Sequence, residues 1–303
     1  MKHLLSLGLL FSGLTTFCVG HATAATVQIS IRNLAPDDGA WIMRPWIGLH
    51  DGGFQTFTVG QAASSGIQHI AEDGVSGDTS NLSLLSGPPN VCSGDPSVYN
   101  INKPCMTDIF IAYAGGSQQA TIGGPTSPGN TLFKKFTVDP SNPKSKYLSY
   151  IVMVVPSNDA FFGTDSAHPV KLYDKNGKFN GGKGPIQFKV LRKNVLDAGT
   201  EVNTESHSDT AFFGQSVSGT GTHPDSTSVV HPHPGFGTNI VSGFNVYPGS
   251  QLNVFNRMNE GGQVQGGHDK DGHDKSDHDK SDHDKDGHAE DGYIAEVTII
   301  ELP

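Results

Sequence analysis

Five histidines recur at a single spacing in the C-terminal part of the chain. His268, His273, His278, His283 and His288 each open a pentapeptide, in the order HDKDG, HDKSD, HDKSD, HDKDG and HAEDG, and the repeat ends at Gly292. Imidazole nitrogen is a borderline ligand suited to zinc, copper or nickel, and a neighbouring carboxylate offers a hard oxygen to calcium. The repeat carries ten acidic residues and four lysines, hence −6 of the formal −10 of the whole chain. Ala289 is its one apolar residue, so the segment cannot bury a core of its own. Two readings stand side by side. In one, the loop gathers zinc or copper weakly and at several sites, because it has no fixed set of supporting hydrogen bonds to orient its ligands. In the other it is a solvated low-complexity spacer.

Other residues with chemical potential are sparser. His231-Pro232-His233-Pro234 could offer an imidazole pair, but flanking prolines favour an extended, exposed loop. Glu201 and Glu205 beside His207 could do acid–base work, yet they lie in a polar stretch with nothing apolar to perturb a pKa. The chain has no Gly-x-Ser-x-Gly elbow, no His-Glu-x-x-His helix and no phosphate-cradling Gly loop before Lys-Ser/Thr. The expectation is therefore no enzyme and no catalytic residues.

The N-terminus directs these residues to an oxidising compartment. Lys2 and His3 precede the apolar run from Leu4 to Val19, and Ala22-Thr23-Ala24 supplies small residues for cleavage. This reads as a signal peptide over 1–24, giving a secreted or periplasmic protein that begins near Ala25. Lipidation at Cys18 is disfavoured because Thr15, Thr16 and Phe17 are not the small residues such processing wants. Loss of Cys18 leaves Cys92 and Cys105, which pair as a disulfide across about a dozen residues, worth up to ~3 kcal/mol. The alternative is two unpaired thiols.

The elements that must position this chemistry are strands. The 303 residues include Gly 38 and Pro 18, while charged residues are only 17% against a usual ~25%, the profile of a turn-rich all-β protein. No apolar run beyond the N-terminus is long enough to span a membrane, and no basic stripe exists to follow nucleic acid. Val27, Ile29 and Ile31 alternate with polar residues and stop at a Pro/Asp/Gly turn. Further strands are expected over 41–49, 54–59, 108–113, 131–138, 147–155, 186–191, 240–246, 251–255 and 293–302. Within them Ile151 to Val155 is continuously apolar, which predicts a central strand buried on both faces. Over 61–72, Ala63, Ile67, Ile70 and Ala71 recur at helical spacing, so one short helix is expected, ended by Asp73-Gly74. About ten strands favour a single antiparallel β-sandwich over 25–303, with a long irregular excursion at 197–239 and a disordered loop at 266–292 inserted before the last strand.

Several segments resemble a known family in the right order. Val155-Pro156-Ser157-Asn158-Asp159-Ala160-Phe161-Phe162-Gly163 and Asp197-Ala198-Gly199-Thr200-Glu201 are similar to the PSPDWFxG and DAGTD loops of the spondin N-terminal domain, the F-spondin-type domain of secreted matrix proteins. The run from His50-Asp51 through Gly60-Gln61-Ala62-Ala63-Ser64-Ser65-Gly66 to Ala71-Glu72-Asp73-Gly74 resembles its G-x-A-S-x-G and A-E-x-G segments. The resemblance covers roughly residues 27–201. It implies a C2-like antiparallel β-sandwich holding calcium on loops at one end.

Carried over residue by residue, the family's calcium ligands fall on Asp159, Asp197 and Glu201. Calcium takes about six to eight oxygens in loose geometry, which carboxylates on loops can meet. Glu201 stands where the family has Asp, Ala160 where it has Trp, and residues 174–184 widen the gap between the two loops. Glu72 is a candidate supporting residue and not an expected ligand. The reading that results is an exported calcium-binding module for adhesion to a surface, matrix or protein ligand. The alternative is a periplasmic or secreted metal-handling protein that works through its repeat.

Overall fold

The computed structural model describes residues 24–35, 40–77, 104–204, 210, 227–234 and 292–303. The fold is a β-sandwich of two antiparallel sheets with two short helices. The first sheet has four strands in the order β5 (Thr131–Val138), β1 (Ala25–Asn33), β12 (Tyr293–Leu302) and β9 (Ile186–Leu191). The second runs β11 (His231–Pro232), β10 (Leu196–Asp197), β7 (Ala160–Gly163), β6 (Tyr147–Val155), β2 (Trp41–His50) and β3 (Gly116–Thr121). Two short strands complete it: β4 (Pro125–Thr126) pairs with β2 and β8 (Val170–Lys171) with β6.

Alternation explains the first sheet. Val27, Ile29 and Ile31 of β1 point inward and meet Val297 and Ile299 of β12 in one apolar cluster. Strand β12 carries a bulge between Tyr293 and Ala295, which lets the neighbours Ile294 and Ala295 both be buried. The second sheet is covered on both faces, as the continuous apolar run of β6 predicts. Leu148, Tyr150, Val152 and Val154 enter the sandwich interior, while Ile151, Met153 and Val155 enter a second cluster on the far face. That far face is covered by α1 (Ser65–Asp73), which packs on β6 and β7, and by α2 (Met106–Ala112).

Helix α1 forms for reasons visible in its sequence. Ser64 caps it by accepting from the Ile67 amide at 3.3 Å, and Gly74 ends it with φ 63° while its N–H donates to Ile70 O at 2.8 Å. Ile67, Ile70 and Ala71 supply the buried stripe.

Two expected strands are corrected. Residues 108–112 belong to α2, with Tyr113 as its cap, and not to a strand. Met106 and Phe110, four apart, are buried together while Ile111 is 71% exposed, so the apolar run has a helical and not an alternating period. Asp108 reinforces the helix start by accepting from the Cys105 amide at 3.3 Å. Residues 54–59 form no ladder: Phe54 packs on Trp46 and Phe110, Phe57 on Phe161, and Phe57 O accepts from the Ser166 amide. Their apolar side chains anchor a loop to the far face of the second sheet. The expected strands 240–246 and 251–255 lie outside the described residues, as do the signal segment 1–23, Cys92 and the repeat histidines. Cys105 is buried beside α2, and its pairing with Cys92 stands as a proposal. Among the described residues no helix is long and apolar enough to cross a membrane.

Candidate functional site

Two of the acids read from the two loops, Asp159 and Asp197, lie side by side at one corner of the second sheet, and Glu201 reaches the same corner through its backbone. Asp159 lies in the connection from β6 to β7, and Asp197 ends β10. Strands β7 and β10 pair in the register Leu196↔Phe161 and Asp197↔Ala160, which brings the two acids side by side across the ladder. Beyond Asp197 the chain turns sharply at Gly199, where φ is 68° and a Cβ would fall 2.4 Å from Val229 O. Only glycine permits both that backbone conformation and that approach. The turn swings Thr200 and Glu201 back over Asp159.

Asp159 organises this turn. Its Oδ2 accepts from the Thr200 amide at 2.8 Å, the Glu201 amide at 3.0 Å and Thr200 Oγ1 at 3.1 Å. Its Oδ1 is buried with no hydrogen-bond partner among the described residues. Burial, followed by the charge of Asp197, holds the Asp159 carboxyl well above the usual carboxylate range. The Glu201 and Thr200 amides oppose that rise, while the more distant charge of Glu72 adds to it.

Asp197 is fully buried as well. Its Oδ1 accepts from the Gly199 amide at 2.7 Å, and its Oδ2 from Asn203 Nδ2 at 2.5 Å. His231 Nε2 of β11 lies 3.5 Å from Asp197 Oδ1. His231 Nδ1 is 2.9 Å from Pro232 O, a carbonyl that can only accept, so this nitrogen carries a hydrogen. Glu201 is buried beside them, reaching Asp159 through its backbone. Glu72, in the last turn of α1, is buried and accepts from Gln68 Nε2 at 2.8 Å.

The His-Pro-His-Pro segment is not the exposed loop expected. Pro232 and His231 pair with Leu196 and Asp197, and His233 is buried with its N–H donating to Val195 O at 3.0 Å. Burial, and then the charge of His231, push the His233 ring down to about 3, so it is neutral at ordinary pH. Thr200, Asn203 and His231 are the members of this corner that the sequence did not single out as site residues. Thr200 and Asn203 lie within three residues of Asp197 or Glu201 along the chain, which is the signal that was there to be used.

A hard cation fits part of this arrangement. An orphaned, buried carboxylate oxygen beside a second carboxylate and near Glu72 is the environment that a cation would relieve. Yet among the described residues no three His, Cys, Asp or Glu side chains are clustered as a metal site. Carboxylates alone therefore do not complete a coordination shell in this conformation, and a cation here needs neutral oxygens too. Away from this corner, His50 and Ser149 resemble a base and nucleophile, with Nε2 and Oγ 3.0 Å apart. The Gly52 amide donates to His50 Nδ1 at 3.0 Å, so Nε2 must carry the hydrogen and donate to Ser149. That polarity cannot activate a serine.

No family model matches this chain, and no curated protein matches it.

Proposed function

We propose that this chain is an exported β-sandwich module that binds calcium at the Asp159–Asp197–Glu201 corner and uses that end for adhesion to a surface, matrix or protein ligand, as its resemblance to the spondin N-terminal domain implies. The observation that carries the reading is the unpartnered Oδ1 of Asp159, buried beside Asp197. Asp159 and Asp197 would hold the ion directly. Glu201, whose longer arm stands where the family has Asp, would close over it. Calcium supplies the positive charge that lets both buried carboxylates stay ionised and ties the two loops together. The residues themselves set the loop geometry through the donors to Asp159 Oδ2 and Asp197.

The test is the melting temperature of the mature chain in chelator and with calcium restored, beside an Asp197→Asn variant. An ion that binds only the folded state stabilises by about 2.7 kcal/mol at 100 times its dissociation constant. The expected result is a calcium-specific rise in Tm that Asp197→Asn loses. Absence of any calcium shift in the unaltered chain overturns the reading.

A further inference from the structure

We propose that Asn203 is a calcium ligand of this corner, supplying through Oδ1 the neutral side-chain oxygen that the carboxylates cannot. The inference rests on the calcium reading above and adds a residue to it.

Asn203 is 6% exposed and stands two residues beyond Glu201, on the segment that leaves the turn. Its amide is held in one orientation. Nδ2 donates to Asp197 Oδ2 at 2.5 Å, and exchanging the amide nitrogen and oxygen would bring two acceptors to that distance. Asp197 therefore fixes which end of the amide meets it. The other end, Oδ1, is buried with no donor among the described residues. A buried amide oxygen without a partner is costly to leave unmet. A second orphan of the same kind, Asp159 Oδ1, belongs to the residue just before Ala160, the ladder partner of Asp197. Two buried acceptor oxygens with no donor, on side chains flanking the same carboxylate, make a donor-poor and acceptor-rich corner. A buried water could donate to both, but only a cation would also answer the charge of the carboxylates between which they lie. Calcium is the cation whose usual shell mixes carboxylate with amide oxygen.

Asn203 would then do two jobs with one head group. Its Nδ2–H steadies Asp197 in the charged form that binds the ion, and its Oδ1 enters the coordination shell. The two jobs separate by substitution. Asn203→Ala removes both. Asn203→Asp removes the donor but keeps an oxygen and adds a charge, which favours calcium and disfavours the calcium-free protein.

The experiment is a calcium titration of the mature full-length chain by calorimetry, run on the unaltered protein, Asn203→Ala and Asn203→Asp, with Tm in chelator recorded for each. Ligation predicts that Asn203→Ala weakens calcium at least 10-fold, and that Asn203→Asp binds at least as tightly as the unaltered chain despite a lower Tm in chelator. If both variants melt lower in chelator but keep the unaltered calcium midpoint, Asn203 is a structural residue and the proposal falls. If both lose affinity equally, the Nδ2 donor alone matters and Oδ1 is not a ligand. If the unaltered chain does not bind calcium, the underlying calcium reading fails first, and this inference fails with it. Should Asn203→Ala not fold, Asn203→Gln serves in its place: it keeps the amide, moves its oxygen by one methylene, and under ligation still weakens calcium.

Discussion

The interior of the sandwich and the corner built by β7, β10 and β11 are held together by different means. In the interior, β1 pairs with β12 and with β5 over eight residues each, and inward side chains from both sheets close one apolar cluster. At the corner the ladders β7–β10 and β10–β11 are two residues long. So short a ladder fixes little by itself, and carboxylate-to-backbone bonds take over. Asp159 ties Thr200 and Glu201 to the β6–β7 connection, and Asp197 ties Gly199 and Asn203 to the end of β10. The interior is positioned by what it excludes from water. The corner is positioned by buried acids, and burying acids close together is costly unless something answers their charge.

The largest effect should come from the interior. Phe162 of β7 is fully buried in the sandwich cluster, and its ring meets Tyr150 with centroids 6.3 Å apart. Phe162→Ala should cost about 3–5 kcal/mol through lost burial and the cavity left behind. For a domain of this size that is a fall of roughly 10 °C in Tm. The fall should be the same in chelator and in calcium, because the loss lies on the sandwich side of the sheet. A loss that calcium largely repairs would show that the two regions are not separate.

How much of each region could be read from the sequence follows from the same contrast. Residues 131–138, 147–155, 186–191 and 293–302 are strands with the bounds that their apolar patterns predict. Long ladders leave long patterns, with alternation where one face is buried and a continuous run in β6 where both are. Helix α1 was legible because Ile67, Ile70 and Ala71 recur at helical spacing and Asp73-Gly74 ends the run, but its start, expected at 61, lies at Ser65, where Ser64 caps it. Helix α2 was not: in 108–113 the apolar residues are dense enough to fit either period, and Met106, which settles it, precedes the segment. Strands β7, β10 and β11 were invisible as strands, since four or two residues carry no periodicity. Asp159 and Asp197 were found through a resemblance to loop motifs, and the paired register places them together. Asn203 was missed because its burial depends on Asp197, and His231, weighed only as part of an exposed loop, is half-buried because it pairs with Asp197, far back in the chain.

A substitution at the corner should change sign with conditions, which nothing in the interior can do. Asp159 Oδ2 takes all three donors and Oδ1 takes none. Asp159→Asn can therefore keep its oxygen on the Thr200 and Glu201 amides and turn its NH2 toward the orphaned position. The variant removes a buried charge that faces Asp197 while retaining every hydrogen bond. In chelator it should be more stable than the unaltered chain by about 0.5–2 kcal/mol, the usual gain when a strained functional group is relaxed. In saturating calcium the order should reverse, because the variant has lost the ligand. Parallel melts of the two proteins in chelator and in calcium measure both arms. A variant that is weaker in chelator as well would mean that the Asp159 charge is already answered within the protein.

The smallest effect should follow the largest excision. The pentapeptide repeat carries −6 of the net −10 and all five evenly spaced histidines, yet it has no apolar residue but Ala289. Strand β12 begins at Tyr293, immediately after the repeat, and is anchored between β1 and β9 through its own ladder and the inward residues Ile294, Val297 and Ile299. Replacing 268–291 with a short Gly/Ser linker keeps the strand and shortens only the connection, and loop closure changes slowly with length, by about 0.6 kcal/mol per doubling. Tm in chelator and the calcium midpoint should both stay within error of the unaltered chain. Zinc and copper binding, measured by competition with a chromogenic chelator, should fall with the imidazoles. That outcome would separate a calcium corner held by buried acids from a transition-metal loop that needs no fold. If zinc and copper binding persists without the repeat, the imidazoles of His231 and His233 at the corner become the next ligands to remove.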